Sequence, residues 1–151
     1  EAEKLGISVY YNTVEAFPLG EDVWSSLNYS RCFNSFDYSA VFTKLHQAAW
    51  NKPEKISGHF ILHKIHGLLE DFIPAPGQFH LVYFDAFGPE VQPHLWTAQI
   101  FRKLYQSLCN EGILVTYSVK GLVVRALKSE GFITEKLPGP PGKRHILRAV
   151  R

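Results

Sequence analysis

The chain is short of several things, and each shortage closes a class of explanation. Its two cysteines, Cys32 and Cys109, lie far apart with no second Cys close to either. A disulfide framework or a zinc site needs tighter spacing. Both therefore read as ordinary buried or half-buried thiols of a cytoplasmic protein. No apolar run approaches the roughly 18 residues that a membrane span requires. The opening Glu1-Ala2-Glu3-Lys4 has neither the cationic stretch nor the apolar stretch of a secretory signal, and it does not begin with Met. Charged residues make up only 20% against 46% apolar, which argues against disorder and for a real core. The length of 151 residues suits one domain over 1–151. A net charge of +2 says little about nucleic acid by itself. Most telling, no G-x-G-x-x-G or similar loop occurs anywhere in the sequence.

The most informative segment present is His80-Leu81-Val82-Tyr83-Phe84-Asp85-Ala86-Phe87-Gly88-Pro89. An apolar run ends in a carboxylate, and a Gly-Pro turn follows. In open α/β sheets, ligands bind beyond the carboxyl ends of parallel strands, so Asp85 occupies the position where chemistry is expected.

The rest of the pattern is consistent with such a sheet. Glu1–Gly6 reads as a helix end stopped by Gly6, Ile7–Val14 as a strand closed by Glu15, and Glu21–Leu27 as a short helix. Asn28–Phe36 has little periodicity. Ser39–Trp50 has helical spacing, ended by Asn51-Lys52-Pro53. Phe60–Ile65, His80–Phe84, Ile113–Tyr117, Phe132–Leu137 and His145–Ala149 read as strands. Pro93–Cys109 and Val119–Ser129 read as helices, the first amphipathic through Trp96, Ile100, Leu104 and Leu108. Strands alternating with helices imply a mostly parallel, Rossmann-like α/β sheet. The last two strands have no helix between them and are expected to pair antiparallel at one edge. A nucleotide-type site in such a fold needs a glycine turn after the first strand. The expectation is that this strand and loop precede Glu1, because an open sheet without them has a gap in its middle.

Three stretches carry a family resemblance. They are Tyr11-Asn12-Thr13-Val14-Glu15 with Phe17-Pro18-Leu19; Phe84-Asp85-Ala86-Phe87-Gly88-Pro89 with Pro93 and Trp96-Thr97; and Gly112–Ser118 with Gly131-Phe132 and Gly139-Pro140-Pro141-Gly142-Lys143-Arg144. Together they resemble the S-adenosylmethionine-dependent methyltransferase domain of the MnmC family, which serves tRNA 5-methylaminomethyl-2-thiouridine biosynthesis. The first stretch is generic to class I methyltransferases; the other two are more specific. The resemblance implies S-adenosyl-L-methionine as cofactor, the tRNA anticodon region as partner, and methylation of a 5-aminomethyl group on a wobble uridine. It implies no metal and no membrane, with a separate flavin-dependent oxidase as an optional partner. Two departures stand out. The glycine loop is absent, and where the family tends to place an acid after Gly67 this chain has Leu68, with Glu70 and Asp71 slightly later.

Candidate roles follow residue by residue. Glu15 closes a strand, where an acid typically accepts from ribose hydroxyls; position alone leaves a surface acid open. Phe84, Ala86 and Glu70 complete the implied cofactor set. Asp85 is the catalytic candidate: an amine attacks a methyl sulfonium only as the neutral base, and a carboxylate can attract the ammonium, take its proton and aim its lone pair. The alternatives are a turn-capping Asp or a cofactor contact. Phe87, Gly88 and Pro89 form a pocket lip or plain loop packing. Trp96 reads as core. Tyr117 lines the site or is structural. Lys143 and Arg144 offer phosphate contacts, or keep an edge hairpin soluble. After Glu135 come Lys136, Lys143, Arg144, Arg148 and Arg151 without an acid. His59, His63 and His66 resemble a metal cluster on paper, but on a strand 63 and 66 point to opposite faces.

Three functions compete at this stage. The first is methylation of aminomethyluridine in tRNA. The second is a class I methyl- or aminopropyltransferase acting on a small amine. The third is a non-catalytic Rossmann-like interaction domain, favoured by the absent glycine loop. The 151-residue chain alone is expected to be inactive, lacking the wall that holds the cofactor's methionine end.

Overall fold

The structure, a computed structural model, describes residues 2–29, 32 and 38–151. The nonperiodic reading of Asn28–Phe36 falls largely outside the described residues, as does Glu1. The length-based expectation of one domain meets two contact-dense units, Glu1–Phe72 and Ile73–Arg151.

The first unit carries a three-stranded sheet. Strand β1 (Val9–Glu15) runs parallel to β3 (Phe60–His66), and β2 (Pro53–Ser57) pairs antiparallel on the other side of β3. Before β1, Gly6 takes φ +64°, Gly6 N–H donates to Glu3 O and Ile7 N–H donates to Ala2 O. These are the two hydrogen bonds of a Schellman motif, as the glycine stop implied. Helix α1 is Glu21–Trp24 and α2 is Ser39–Gln47. Helix α2 ends short of Trp50 because Ala48 turns extended (φ −53°, ψ 137°), and Trp50 bridges to Lys64 instead. Strand β2 was not expected, because Pro53 read only as a stop. Pro is tolerated as the first residue of an edge strand, which is where Pro53 stands. Behind α2, Ala48, Ile56 and Leu62 form a small core with Leu45 and Phe60.

The second unit carries β4 (Phe79–Phe84), β5 (Leu108–Thr116), β6 (Ile133–Pro138) and β7 (His145–Val150) in the order β4-β5-β7-β6. Strands β4 and β5 are parallel; β7 is antiparallel to both β5 and β6, the anticipated C-terminal edge. Helices α3 (Ala98–Ser107) and α4 (Gly121–Ser129) bury Ile100, Phe101, Leu104, Val123 and Leu127. The long helix expected over 93–109 is broken. A 3₁₀ turn, Pro93–Trp96, precedes Thr97, whose extended backbone and Oγ1, accepting from Ile100 N–H at 3.4 Å, cap α3. Leu108 then begins β5, so Gly112 lies inside a strand rather than after a helix.

The parallel β4·β5 pair positions the site. It puts the carboxyl ends of both strands on one edge, so Asp85 and Tyr117 leave the sheet side by side. In the same way, the parallel β1·β3 pair places Glu15 beside His66 in register.

Candidate active site

Asp85 follows β4 with its side chain exposed. The turn it opens is fixed by three hydrogen bonds. Tyr117 Oη donates to Ala86 O at 2.9 Å, Trp96 Nε1 donates to Phe87 O at 2.7 Å, and Phe87 N–H donates to Gln92 Oε1 at 3.1 Å. A fourth tie is the Lys120–Glu90 ion pair, in which both side chains are largely exposed. The turn is thus pre-set around a solvent-facing carboxylate.

The aromatic residues underneath explain its rigidity. Trp96 is 3% exposed and meets Phe84, Phe101 and Tyr117 edge-on at centroid distances of 4.9, 6.4 and 6.0 Å. A buried indole needs a partner for its N–H, and Phe87 O provides it. Tyr117 is half-buried. Burial, and then the charges of Asp85 and Glu90, push its hydroxyl above the ordinary tyrosine value, so it stays a donor at neutral pH.

The basic loop lies in the same unit. Gly142 has φ +88°, and a Cβ on Gly139 would stand 2.4 Å from Lys143 O, so this tight turn between β6 and β7 needs glycine at both positions. The turn sets the Lys143 ammonium 4.2 Å from the centroid of the Tyr117 ring, and Arg144 is exposed. Asp85, Ala86, Phe87, Tyr117 and Lys143 are therefore brought together. Phe87 stands out as an exposed ring, at 70%. Gly88 is half-buried and Pro89 is buried, so Phe87 is the exposed member of the three.

Glu15, the last residue of β1, belongs to the first unit. Glu15 Oε1 accepts from Phe17 N–H at 2.8 Å, and Gly67 N–H donates to Glu15 O at 3.0 Å. The exposed carboxylate keeps Oε2 for further donors, the chemistry that a pair of ribose hydroxyls requires. Glu70 lies in the turn following β3 and is exposed. Phe84 is 5% exposed, and its ring packs on Trp96 and Phe101. His59 Nδ1 lies 3.1 Å from Ile7 O and the His66 ring meets Trp50, so these two histidines have separate partners. Cys109 is half-buried as read, but Cys32 is exposed.

A family model described as S-adenosyl-L-methionine-dependent methyltransferase matches residues 39–151. The chain belongs to this family. Its cofactor is therefore S-adenosyl-L-methionine, and the Glu15 carboxylate fits that group. Among similar proteins is a bifunctional tRNA 5-methylaminomethyl-2-thiouridine biosynthesis protein MnmC of Azoarcus sp. (strain BH72), 44% identical over 64 residues that make up 42% of this chain and 10% of that protein. The MnmC protein of Aromatoleum aromaticum is 41% identical over 66 residues, 44% of this chain and 10% of its own. The crystal structure of MnmC2 from Aquifex aeolicus superposes with a TM-score of 0.66 at 20% identity, covering 94% of this chain and 43% of that one, and supports the Rossmann-like methyltransferase fold. The matched segments span only about a tenth of the length of these curated relatives.

Sequence reading missed Gln92, Glu90 and Lys120 of the methyltransferase. They are polar residues in loops with no motif of their own, and only the three-dimensional turn shows that they brace Asp85. Trp96 did carry a signal, since a Trp placed in a core must find an acceptor.

Proposed function

We propose that this methyltransferase transfers a methyl group to the amine of a 5-aminomethyl wobble uridine in tRNA. The observation that carries the reading is the exposed Asp85 carboxylate on a turn held by Tyr117, Trp96 and Gln92. When bound, the cofactor supplies an electrophilic methyl on a sulfonium. The family resemblance assigns Glu15 to its ribose hydroxyls and names Glu70, Phe84 and Ala86 as further cofactor contacts. Asp85 attracts the substrate ammonium, takes one proton from it and leaves a lone pair directed at the methyl. Holding two reactants in line supplies most of the acceleration. Phe87 offers an exposed ring on which a base turned out of the anticodon stack can lie. Lys143 and Arg144 meet backbone phosphates, a contact that weakens with salt.

A separate flavin-dependent oxidase is the partner that this reading adds. The names of the MnmC relatives, all concerned with 5-methylaminomethyl-2-thiouridine, support the substrate assignment. The test is methyl transfer from labelled cofactor by the full-length protein to tRNA carrying the 5-aminomethyl group, set against free alkylamines and polyamines. Label in tRNA alone is expected. Label in the small amines with none in tRNA would move the assignment to a small-amine transferase, and cofactor binding without transfer to either would sink it.

A further inference from the structure

Two ties join parts of the second unit that are distant in sequence. Tyr117 donates its phenol O–H to Ala86 O, one residue beyond Asp85, and the face of the same ring carries the Lys143 ammonium at 4.2 Å. One side chain thus contacts both the turn that presents the carboxylate and the loop that presents the cations. We infer that Tyr117 is a positioning residue that couples occupancy of the 139–144 loop to the geometry of Asp85, and so makes methyl transfer depend on an RNA backbone. The inference rests on the reading of Asp85 and of the basic loop given above.

A cation over an aromatic face is attracted by the ring's quadrupole and draws electron density from it. That makes the phenol O–H a better donor to Ala86 O while it holds the ring in place. A phosphate that engages Lys143 fixes where the ammonium sits, and the constraint passes through the ring and its hydroxyl to the Asp85-Ala86 peptide. A small amine has no phosphate and leaves the Lys143 ammonium held by the Tyr117 ring alone, so the added constraint comes only with RNA.

The test uses Tyr117→Phe, which keeps the ring, and Lys143→Gln, which removes the cation, singly and together in the full-length protein with undermodified tRNA as substrate. Tyr117→Phe is expected to lower kcat about tenfold with the KM for tRNA unchanged, the loss of one well-placed hydrogen bond. Lys143→Gln is expected to raise that KM several-fold and lower kcat about threefold. In the Tyr117→Phe background, Lys143→Gln is expected to raise KM but leave kcat alone, because the path to Asp85 is already cut. A full, additive loss of kcat in the double variant overturns the coupling, as does a wild-type kcat in Tyr117→Phe. A second readout does not need turnover. The backbone amide resonances of Ala86 and Phe87 are expected to shift when an anticodon stem-loop RNA is added to the wild type, and to lose that shift in either variant. If wild type methylates no tRNA but the shift and its loss are seen, the functional reading fails and the coupling stands. If those amides ignore the RNA, the coupling fails whatever the activity.

Discussion

The two units of this chain are built from the same kind of element, a parallel strand pair, yet they are packed to different depths. In the second unit, Phe101, Leu108, Leu114, Val123, Leu127 and Leu147 are sealed to 1% exposure or less by α3 and α4. In the first, the best-buried described residues, Ala48 and Leu62, are 5% exposed, and a lysine takes part in the interior. Lys64 donates to His46 O at 2.5 Å, lies 4.7 Å from the Trp50 ring, and has its pKa lowered chiefly by burial. The lesson concerns the site. The unit that fixes Asp85 is the one with a dry, close-packed floor, where a hydrogen-bonded turn can be held still. The unit that presents Glu15 offers an exposed carboxylate on a thinner base.

The sharpest way to break this comparison is to empty each core. Leu114→Ala is expected to cost the second unit about 3–5 kcal/mol, whereas Leu62→Ala should cost the first about 2–3 kcal/mol, because a less enclosed site relaxes more readily. Denaturant unfolding followed at tryptophans of each unit, Trp96 against Trp24 and Trp50, checks the order; equal losses would remove the distinction. Next in size is Gly142→Ala, which forces a side chain into positive φ in the basic loop. About 1 kcal/mol is expected, with a matching rise in the KM for tRNA and no change in unfolding of the first unit.

A pH titration sharpens the same contrast. His46 stacks on Trp24 at 4.9 Å and contacts Phe42 at 4.4 Å, and burial, then the Lys64 charge, hold its pKa below the ordinary 6.5. The folded state therefore favours the neutral ring. Its contribution is complete above pH 6.5 and is lost as pH falls from there through the lowered folded value. Acid should loosen the first unit before the second, and His46→Phe should abolish that early phase. The smallest effect is expected at the surface: Lys120→Gln breaks only an exposed pair with Glu90 and should leave the unfolding midpoint where it was.

Much of this was legible in the sequence, for identifiable reasons. The apolar run into Asp85 and the Gly-Pro turn is a local pattern, and β4 with its carboxylate stands where the run ends. Gly6, the antiparallel ending and the tight Gly139–Gly142 turn follow equally local rules. The break at Thr97 was hidden because Trp96, Ile100 and Leu104 continue one helical stripe across it. Strand β2 was hidden because Ile56 is its only buried apolar residue. The brace on Asp85 could not be read at all, since Tyr117 lies 31 residues from Ala86 and only the parallel β4·β5 pairing brings them together.

The central claim is that Asp85 orients the accepting amine, and one measurement tests it most directly. Single-turnover methyl transfer from labelled cofactor to 5-aminomethyl tRNA would be compared for the full-length wild type and Asp85→Asn at saturating cofactor. The account predicts a loss of about 10²–10⁴-fold in rate, the range expected for a lost general base, with cofactor affinity intact. An undiminished rate in Asp85→Asn, or a loss repaired entirely by more cofactor, would contradict it.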